Sequence, residues 1–290
     1  MLSLHTNAAS LSTQNAVGAT QKALNTSLTR LGTGYRINSS QDDAAGLQIA
    51  SRLQAQSRGM AVAQKNTQNG ISMLQVADGG LDEVNNILLR MKDLATESAT
   101  ASATADDRTA LQAEFSALGK ELGNIMKNTA FGGTQLFSNG TTTDGSAGLL
   151  SSATLTFQIG ASTGETMVVD TGTSLTALAT ALGAVSADYG GTAGTELNGT
   201  NAIIGTINDA IKAVGTLRAE FGASANRLEH VYNNLGNMSS NTDAARGRIM
   251  DVDYAAEATN STAKQLQLQA GTSSLKQANS LSQLVLSLLQ

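Results

Sequence analysis

Few side chains in this 290-residue sequence have the type and spacing needed for chemistry. His5 and His230 are the two histidines. His230 stands beside an apolar seam, where a solvated or capping role suits it better than catalysis. Asp42-Asp43 and Asp251/Asp253 are paired carboxylates, a type that can hold a metal or trade a proton. Both pairs stand where a helix begins or bends, and there an acidic group is expected to cap free N–H groups. No HExxH, no GxGxxG between a strand and a helix, no phosphate-binding loop and no Cys/His set is present, and cysteine is absent altogether. Asn-x-Ser/Thr triplets, as at Asn25 and Asn260, fall in helical segments and follow from the Ser/Thr richness. Catalysis therefore has no positive support, least of all within 128–200, which contains neither histidine nor a basic residue.

The elements that would have to position such residues carry a stronger signal. No proline is available to stop a helix. Both chain ends are amphipathic and almost uncharged. From 255 to 290 the charged side chains are Glu257, Lys264 and Lys276; from 1 to 34 they are Lys22 and Arg30. Apolar residues recur at helical spacing in both. Leu4, Ala8 and Leu11, then Leu24, Leu28 and Leu31, mark one end, which Gly32 and Gly34 close. Leu275, Ala278, Ser282, Val285 and Leu289 mark the other. A lone helix of this kind cannot bury its stripe and is marginal in water. The two ends are expected to pair with each other or with neighbouring copies.

Between them, Leu81, Val84, Leu88, Met91 and Ala95 alternate spacings of three and four, as do Leu111, Phe115, Leu118, Leu122 and Ile125. Small residues at 100–105 interrupt the two runs, and Asp106-Asp107 supply an acidic helix start. This predicts an antiparallel helical hairpin within 42–126. The stretch 128–200 is rich in Gly, Thr and Ser. In it Leu155, Phe157 and Ile159 alternate with polar residues, and Thr166–Asp170 follow a glycine turn, which predicts a β-hairpin. A short helix is expected over 175–185 and a flexible loop over 189–200. The longest signal is a heptad seam from Ile203 through Ile207, Ala210, Val214, Leu217, Phe221, Leu228, Val231, Leu235, Met238, Ala245 and Ile249 to Val252, with Ser224 and Thr242 as its polar members. It spans roughly 50 residues, or about 75 Å of helix. Each large seam residue contributes about 1.5–3 kcal/mol if fully buried, before ordering entropy is subtracted.

Composition narrows the classes. The net charge of −5 and the absence of any basic run argue against a nucleic-acid surface. Low aromatic content with 41% hydrophobic residues fits thin packing of aliphatic helices rather than disorder. No uncharged apolar run reaches the ~18–20 residues of a membrane span, so no membrane insertion is expected. The N-terminus lacks the pattern of a cleavable signal peptide, which leaves a cytosolic protein or one exported uncleaved.

Two blocks take the reading further. The first is Arg30-Leu-Gly-Thr-Gly-Tyr-Arg-Ile-Asn-Ser-Ser-Gln-Asp-Asp-Ala-Ala-Gly-Leu-Gln-Ile-Ala50. The second is Ala245-Arg-Gly-Arg-Ile-Met-Asp-Val-Asp-Tyr-Ala-Ala-Glu257, continuing through Gln269–Ser273 to Val285–Leu289. In the first, Asn38–Ser40 can turn the chain, Asp42 and Asp43 suit a helix start, and Ala44, Ala45 and Gly46 permit close helix approach. Together the blocks closely resemble the terminal signatures of bacterial flagellins, over about 1–137 and 203–290. Gly32 and Tyr35 depart from the Ser and Leu of the family pattern, at a joint where they bear on hinge geometry.

The resemblance implies a mainly α fold of long antiparallel helices in a rod-like bundle and coiled coil, with a small β-hairpin region in the middle of the chain. Residues 1–41 and 247–290 would form an inner coiled coil. Residues 42–246 would form a rod-like bundle that includes the hairpin region at about 128–172 and a short variable insertion at about 173–202. It further implies a subunit of the bacterial flagellar filament that polymerises with copies of itself through its terminal helices. Such a subunit leaves the cell unfolded by the flagellar type III route and needs no cofactor. A flagellar export chaperone, the filament cap and the hook-junction proteins would be its partners, and the extracellular flagellum its destination. Ile87–Ser98 resembles the segment that Toll-like receptor 5 of animal hosts binds in many flagellins, and Leu111–Glu114 its companion, which makes Arg90, Leu94 and Glu114 the expected recognition residues. Rival readings are a hook–filament junction protein of the same superfamily and a secreted adhesin.

Overall fold

Without proline, helices run until a cap or a polar stretch stops them, and six α-helices dominate the described residues. The computed structural model describes residues 7–141, 143–145, 147–151, 155–192, 194–198 and 201–287, with side chains in the last helix described as far as 280. In chain order the elements are α1 (Ala8–Thr33), α2 (Ala44–Ser98), α3 (Ala105–Asn128), β1 (Ala130–Phe131), β2 (Thr134–Gln135), β3 (Leu155–Gln158), β4 (Thr166–Val169), α4 (Gly172–Val185), α5 (Ala202–Met250) and α6 (Tyr254–Ser287). Two compact units result. One draws on both chain ends, up to Gln56 and from Ser240; the other spans Ser57–Ser239.

The central unit holds the large core. The stripe anticipated on α2 is buried at Leu81, Val84, Leu88, Met91 and Ala95. It packs with Phe115, Leu122 and Met126 of α3 and with Ile207, Val214, Leu217, Phe221 and Leu228 of α5. Leu111, Leu118 and Ile125 lie at the rim, half-buried, because the face of α3 that turns inward runs through Phe115, Gly119, Leu122, Gly123 and Met126. A capping box starts α3: Thr104 Oγ1 accepts from Asp107 N at 3.2 Å, and the Asp107 carboxylate accepts from Thr104 N at 2.9 Å. The interruption at 100–105 therefore closes the hairpin of α2 and α3.

The seam of α5 is buried at Ile203, Ile207, Ala210, Val214, Leu217, Phe221, Leu228 and Leu235. Beyond Leu235 its character changes. Met238 is exposed, and Thr242, Ala245, Ile249 and Val252 are only half-buried. The helix also stops at Met250, two residues short of the apolar period. Periodicity records which face is apolar, whereas burial depends on what lies opposite.

The hairpin expected from the alternation at 155–170 is present, with Leu155 opposite Val169 and Phe157 opposite Met167. It lies close against α2: a β-carbon added at Gly70 would come 2.9 Å from Phe157 Cε1. A second, smaller hairpin pairs β1 with β2 through Gly132 and Gly133, at φ 59° and 85°. Two successive left-handed residues match the twist of the flanking strands and favour glycine. The Gly-Gly pair was its sequence signal.

The stretch expected as a variable insertion, 173–202, contributes to the core. Leu175, Leu178, Leu182 and Val185 of α4 are buried. The loop anticipated as flexible over 189–200 is pinned where it is described. Gln112 of α3 holds it from both ends of its amide: Nε2 donates to Glu196 Oε2 at 2.7 Å and Oε1 accepts from Leu197 N at 2.7 Å. Tyr189 and Leu197 are buried. The Tyr189 hydroxyl donates to the Thr143 carbonyl, and burial raises its pKa well above the usual phenol value. Glycine-rich composition concealed these two buried anchors.

Candidate assembly interface and recognition surface

The terminal unit brings the two chain ends together. Helices α1 and α6 run antiparallel, in a register set by matched pairs along their length. Asn7 Nδ2 donates to the Ala278 carbonyl at 3.0 Å, and Ser10 Oγ donates to Asn279 Oδ1 at 2.8 Å. Further along, Gly271 meets Val17 and Arg30 faces Glu257. At one end Asn7 caps α1 by accepting from Ser10 N. At the other, Gly34 ends it in the left-handed region at φ 77°, its N–H returned to the Arg30 carbonyl. A β-carbon at 34 would lie 2.9 Å from the Tyr254 hydroxyl, a second reason for glycine there.

A short antiparallel crossing ties the segment after α1 to the segment between α5 and α6. Arg36 N donates to the Met250 carbonyl at 2.6 Å, and Val252 N to the Gly34 carbonyl at 3.0 Å. Arg36 Nη2 also donates to the Ile249 carbonyl at 2.8 Å. The Arg30 guanidinium lies between Asp42 at 3.8 Å and Glu257 at 3.9 Å, and Glu257 is buried. The Asp253 carboxylate accepts from Ala255 N and Ala256 N and so starts α6. His230 is exposed.

The two acids of the helix-start motif divide their work. Asp43 Oδ1 accepts from Gly46 N at 2.8 Å, in the manner of a cap on α2. Asp42 turns the other way. Its carboxylate accepts from the backbone N–H of Asn38 and Ser39, each at 3.0 Å, and these bonds hold its pKa below the usual carboxylate value. Gly46 leaves room for both Ile37 and Asp43, since a β-carbon there would lie 2.8 Å from Ile37 Cδ1. Ile37 is almost fully buried as a result.

The leucines singled out for the assembly seam separate into two groups. Leu24 is buried within the chain; Leu31, Leu275 and Ala278 are half-buried. Leu11 is 60% exposed and Leu28 48% exposed. Leu266, which the spacing argument passed over, is 62% exposed. Leu4 and Leu289 lie outside the described residues, as does the Val285 side chain. The Gly271–Val17 approach and the buried Glu257 were also missed. Glu257 did have a signal, as the one acid in an otherwise nearly uncharged terminal block.

Arg90 of α2 and Glu114 of α3 form an exposed ion pair. Arg90 Nε and Nη2 both reach Glu114 Oε1, at 2.8 and 2.7 Å. The bond to Glu114 raises the Arg90 pKa further. Leu94, one turn along α2, is 1% exposed and belongs to the core. The exposed leucine beside Arg90 is Leu89.

Among the described residues no three His, Cys, Asp or Glu side chains gather as a metal site, and no helix is long and apolar enough to cross a membrane. What the chain does build is a mainly helical structural protein whose ends pair while leaving leucines on the outside. The family model for the bacterial flagellin N-terminal helical region matches residues 4–142, and that for the C-terminal helical region matches residues 204–289. Flagellin of Halalkalibacterium halodurans is 39% identical over 262 residues, covering 90% of each chain. Flagellin A of Vibrio anguillarum is 32% identical over a 388-residue alignment covering 100% of each chain. A crystal structure of Bacillus cereus flagellin covers 63% of this chain and 94% of that one, at 28% identity and a TM-score of 0.46. The chain belongs to the bacterial flagellin family. It is a structural component of the flagellar filament and not an enzyme.

Proposed function

We propose that the chain polymerises with copies of itself through the α1–α6 pair, as the inner layer of a filament that serves swimming. The observation that carries this reading is the set of large apolar side chains left outside that pair: Leu11, Leu28 and Leu266. Burying them between neighbouring copies removes apolar surface from water at about 25 cal/mol per Å². The pair has few charges to desolvate, so this gain is opposed by little electrostatic cost. Residues 1–41 and 247–290 form the inner coiled coil in this proposal, and 42–246 a rod-like helical bundle. The subunit travels unfolded through the flagellar export apparatus, with a chaperone masking its C-terminal segment, and meets the hook-junction and cap proteins at the filament ends.

Deleting Leu275–Gln290 tests the mechanism. The truncated chain is expected to keep its central unit folded, read by near-UV circular dichroism, and to form no filaments by electron microscopy after seeding. Normal filaments from the truncation would sink the proposal. As the family resemblance suggests, the Arg90–Glu114 surface is also a ligand of a Toll-like receptor 5, with Leu94 supporting it from the core.

A further inference from the structure

Three Asn-Gly dipeptides occur in the chain, at Asn69-Gly70, Asn139-Gly140 and Asn198-Gly199. Such a pair can react with itself when the glycine nitrogen reaches the asparagine side-chain carbon, because glycine puts no β-carbon in the way. The fold treats the first two very differently. Asn69 lies in the interior of α2, where Gly70 N–H belongs to the helical ladder and Gly70 itself is buried against Phe157 and Leu228. The third has its glycine outside the described residues.

Asn139 is exposed, on a turn outside any helix or strand. Its carboxamide oxygen accepts from Thr141 N at 2.9 Å and from Thr141 Oγ1 at 2.7 Å. The carboxamide therefore bonds across Gly140 to the residue beyond it. The two donors also draw electron density from Cγ and face the oxygen on which negative charge would develop during attack, as donors do in an oxyanion hole. Gly140 has φ 82°, and its N–H donates to Ser138 Oγ at 3.1 Å, a bond that attack must give up.

We propose that Asn139 is a self-modification site, at which the folded protein converts asparagine to aspartate and isoaspartate through a cyclic imide. The Gly140 nitrogen loses its proton to a base in solution and attacks Asn139 Cγ. The N–Cγ bond forms as Cγ–Nδ2 breaks, and the side-chain nitrogen takes up a proton and leaves as ammonia. Water then opens the ring at either carbonyl; no electrons are gained or lost. Nitrogen and carbon belong to consecutive residues of one chain, so the step is unimolecular. The product adds a carboxylate to a stretch, 128–200, that already holds Asp144, Glu165, Asp170, Asp188 and Glu196 and has no Lys or Arg. The isoaspartyl product also lengthens the backbone by one methylene at this turn.

The test incubates the full chain in mildly alkaline buffer, folded and in urea, and reads the gain of about 1 Da at each asparagine by peptide mass spectrometry. In the folded protein Asn139 is expected to convert about tenfold or more faster than Asn69, and in urea the two rates are expected to agree within about threefold. Thr141→Val, an exposed substitution that removes one donor, is expected to slow Asn139 by about threefold in the folded protein only, since a solvated donor is worth less than one in a water-excluded site. Asn69 keeping pace with Asn139 in the folded protein would overturn the proposal. So would an unchanged folded rate in Thr141→Val, or a tenfold preference that persists in urea.

Discussion

Gly271 of α6 approaches Val17 of α1 so closely that a β-carbon at 271 would lie 2.8 Å from Val17 Cγ2. Valine is stiff about its first side-chain torsion, so that methyl cannot swing aside. Alanine at 271 gains about 1 kcal/mol of helix propensity, which offsets part of the overlap. Leucine gains almost as much propensity over glycine but drives several more atoms into the same contact. Gly271→Leu is expected to weaken the α1–α6 pair by about 1–3 kcal/mol, and Gly271→Ala to weaken it by less. Loss of helical circular dichroism in the earliest thermal transition checks this, and slower filament growth should accompany it.

Acid should loosen two turns before it reaches the core. Asp107 is held below its ordinary value of 3.8 by Thr104, through its hydroxyl first and then its backbone N–H. Asp42 is held below the same value by the N–H groups of Asn38 and Ser39. A depressed folded pKa means the stabilisation is complete above the ordinary value and is lost as pH falls through the folded one. Helix content should therefore decline at pH values below that ordinary 3.8, beginning at the start of α3. Asp107→Asn, which keeps a side-chain oxygen but does not titrate, is expected to flatten that part of the pH profile.

Arg218 of α5 joins two acids on α2, with Nε 2.8 Å from Asp78 Oδ1 and Nη1 2.7 Å from Asp82 Oδ1. All three side chains are partly in water, so the network is worth little per bond. Arg218→Lys supplies one point charge where a planar fork spanned two carboxylates. A loss of about 0.5–1 kcal/mol is expected in urea denaturation at low salt, shrinking as salt is raised.

Receptor binding and stability should separate at the α2–α3 surface. Arg90→Ala and Glu114→Ala remove exposed groups and are expected to change stability by no more than about 0.5–1 kcal/mol. Leu94→Ala empties a core position and is expected to cost about 2–5 kcal/mol. Binding of the purified variants to a Toll-like receptor 5 ectodomain, measured beside their denaturation curves, shows whether Leu94 acts only through the fold. Reduced binding by Arg90→Ala with unchanged stability is the outcome expected of a direct contact.

The long helices were legible because their signal repeats. Leu81, Val84, Leu88, Met91 and Ala95 state the buried face of α2 five times over, and no local exception can erase it. The β3–β4 hairpin was legible for the same reason, in period two. The strapped loop at 187–198 was not, because its anchors are single residues. Gln112 reaches Glu196 and Leu197 across about 85 positions of sequence, and nothing in a run of glycines and threonines announces that. Leu94 was legible as an apolar helix position but not as buried rather than available.

By itself the sequence determined the helical class, the pairing tendency of the two ends, the chemistry that is missing and, through the motif blocks, the family. Those properties follow from periodicity, composition and order along the chain. Only the tertiary structure decided that Asp43 caps α2 while Asp42 binds the turn before it, and that the α5 seam is covered as far as Leu235. It also decided that Leu11, Leu28 and Leu266 remain outside. Which face of an apolar helix is covered depends on the surface packed opposite, and that surface comes from residues hundreds of positions away.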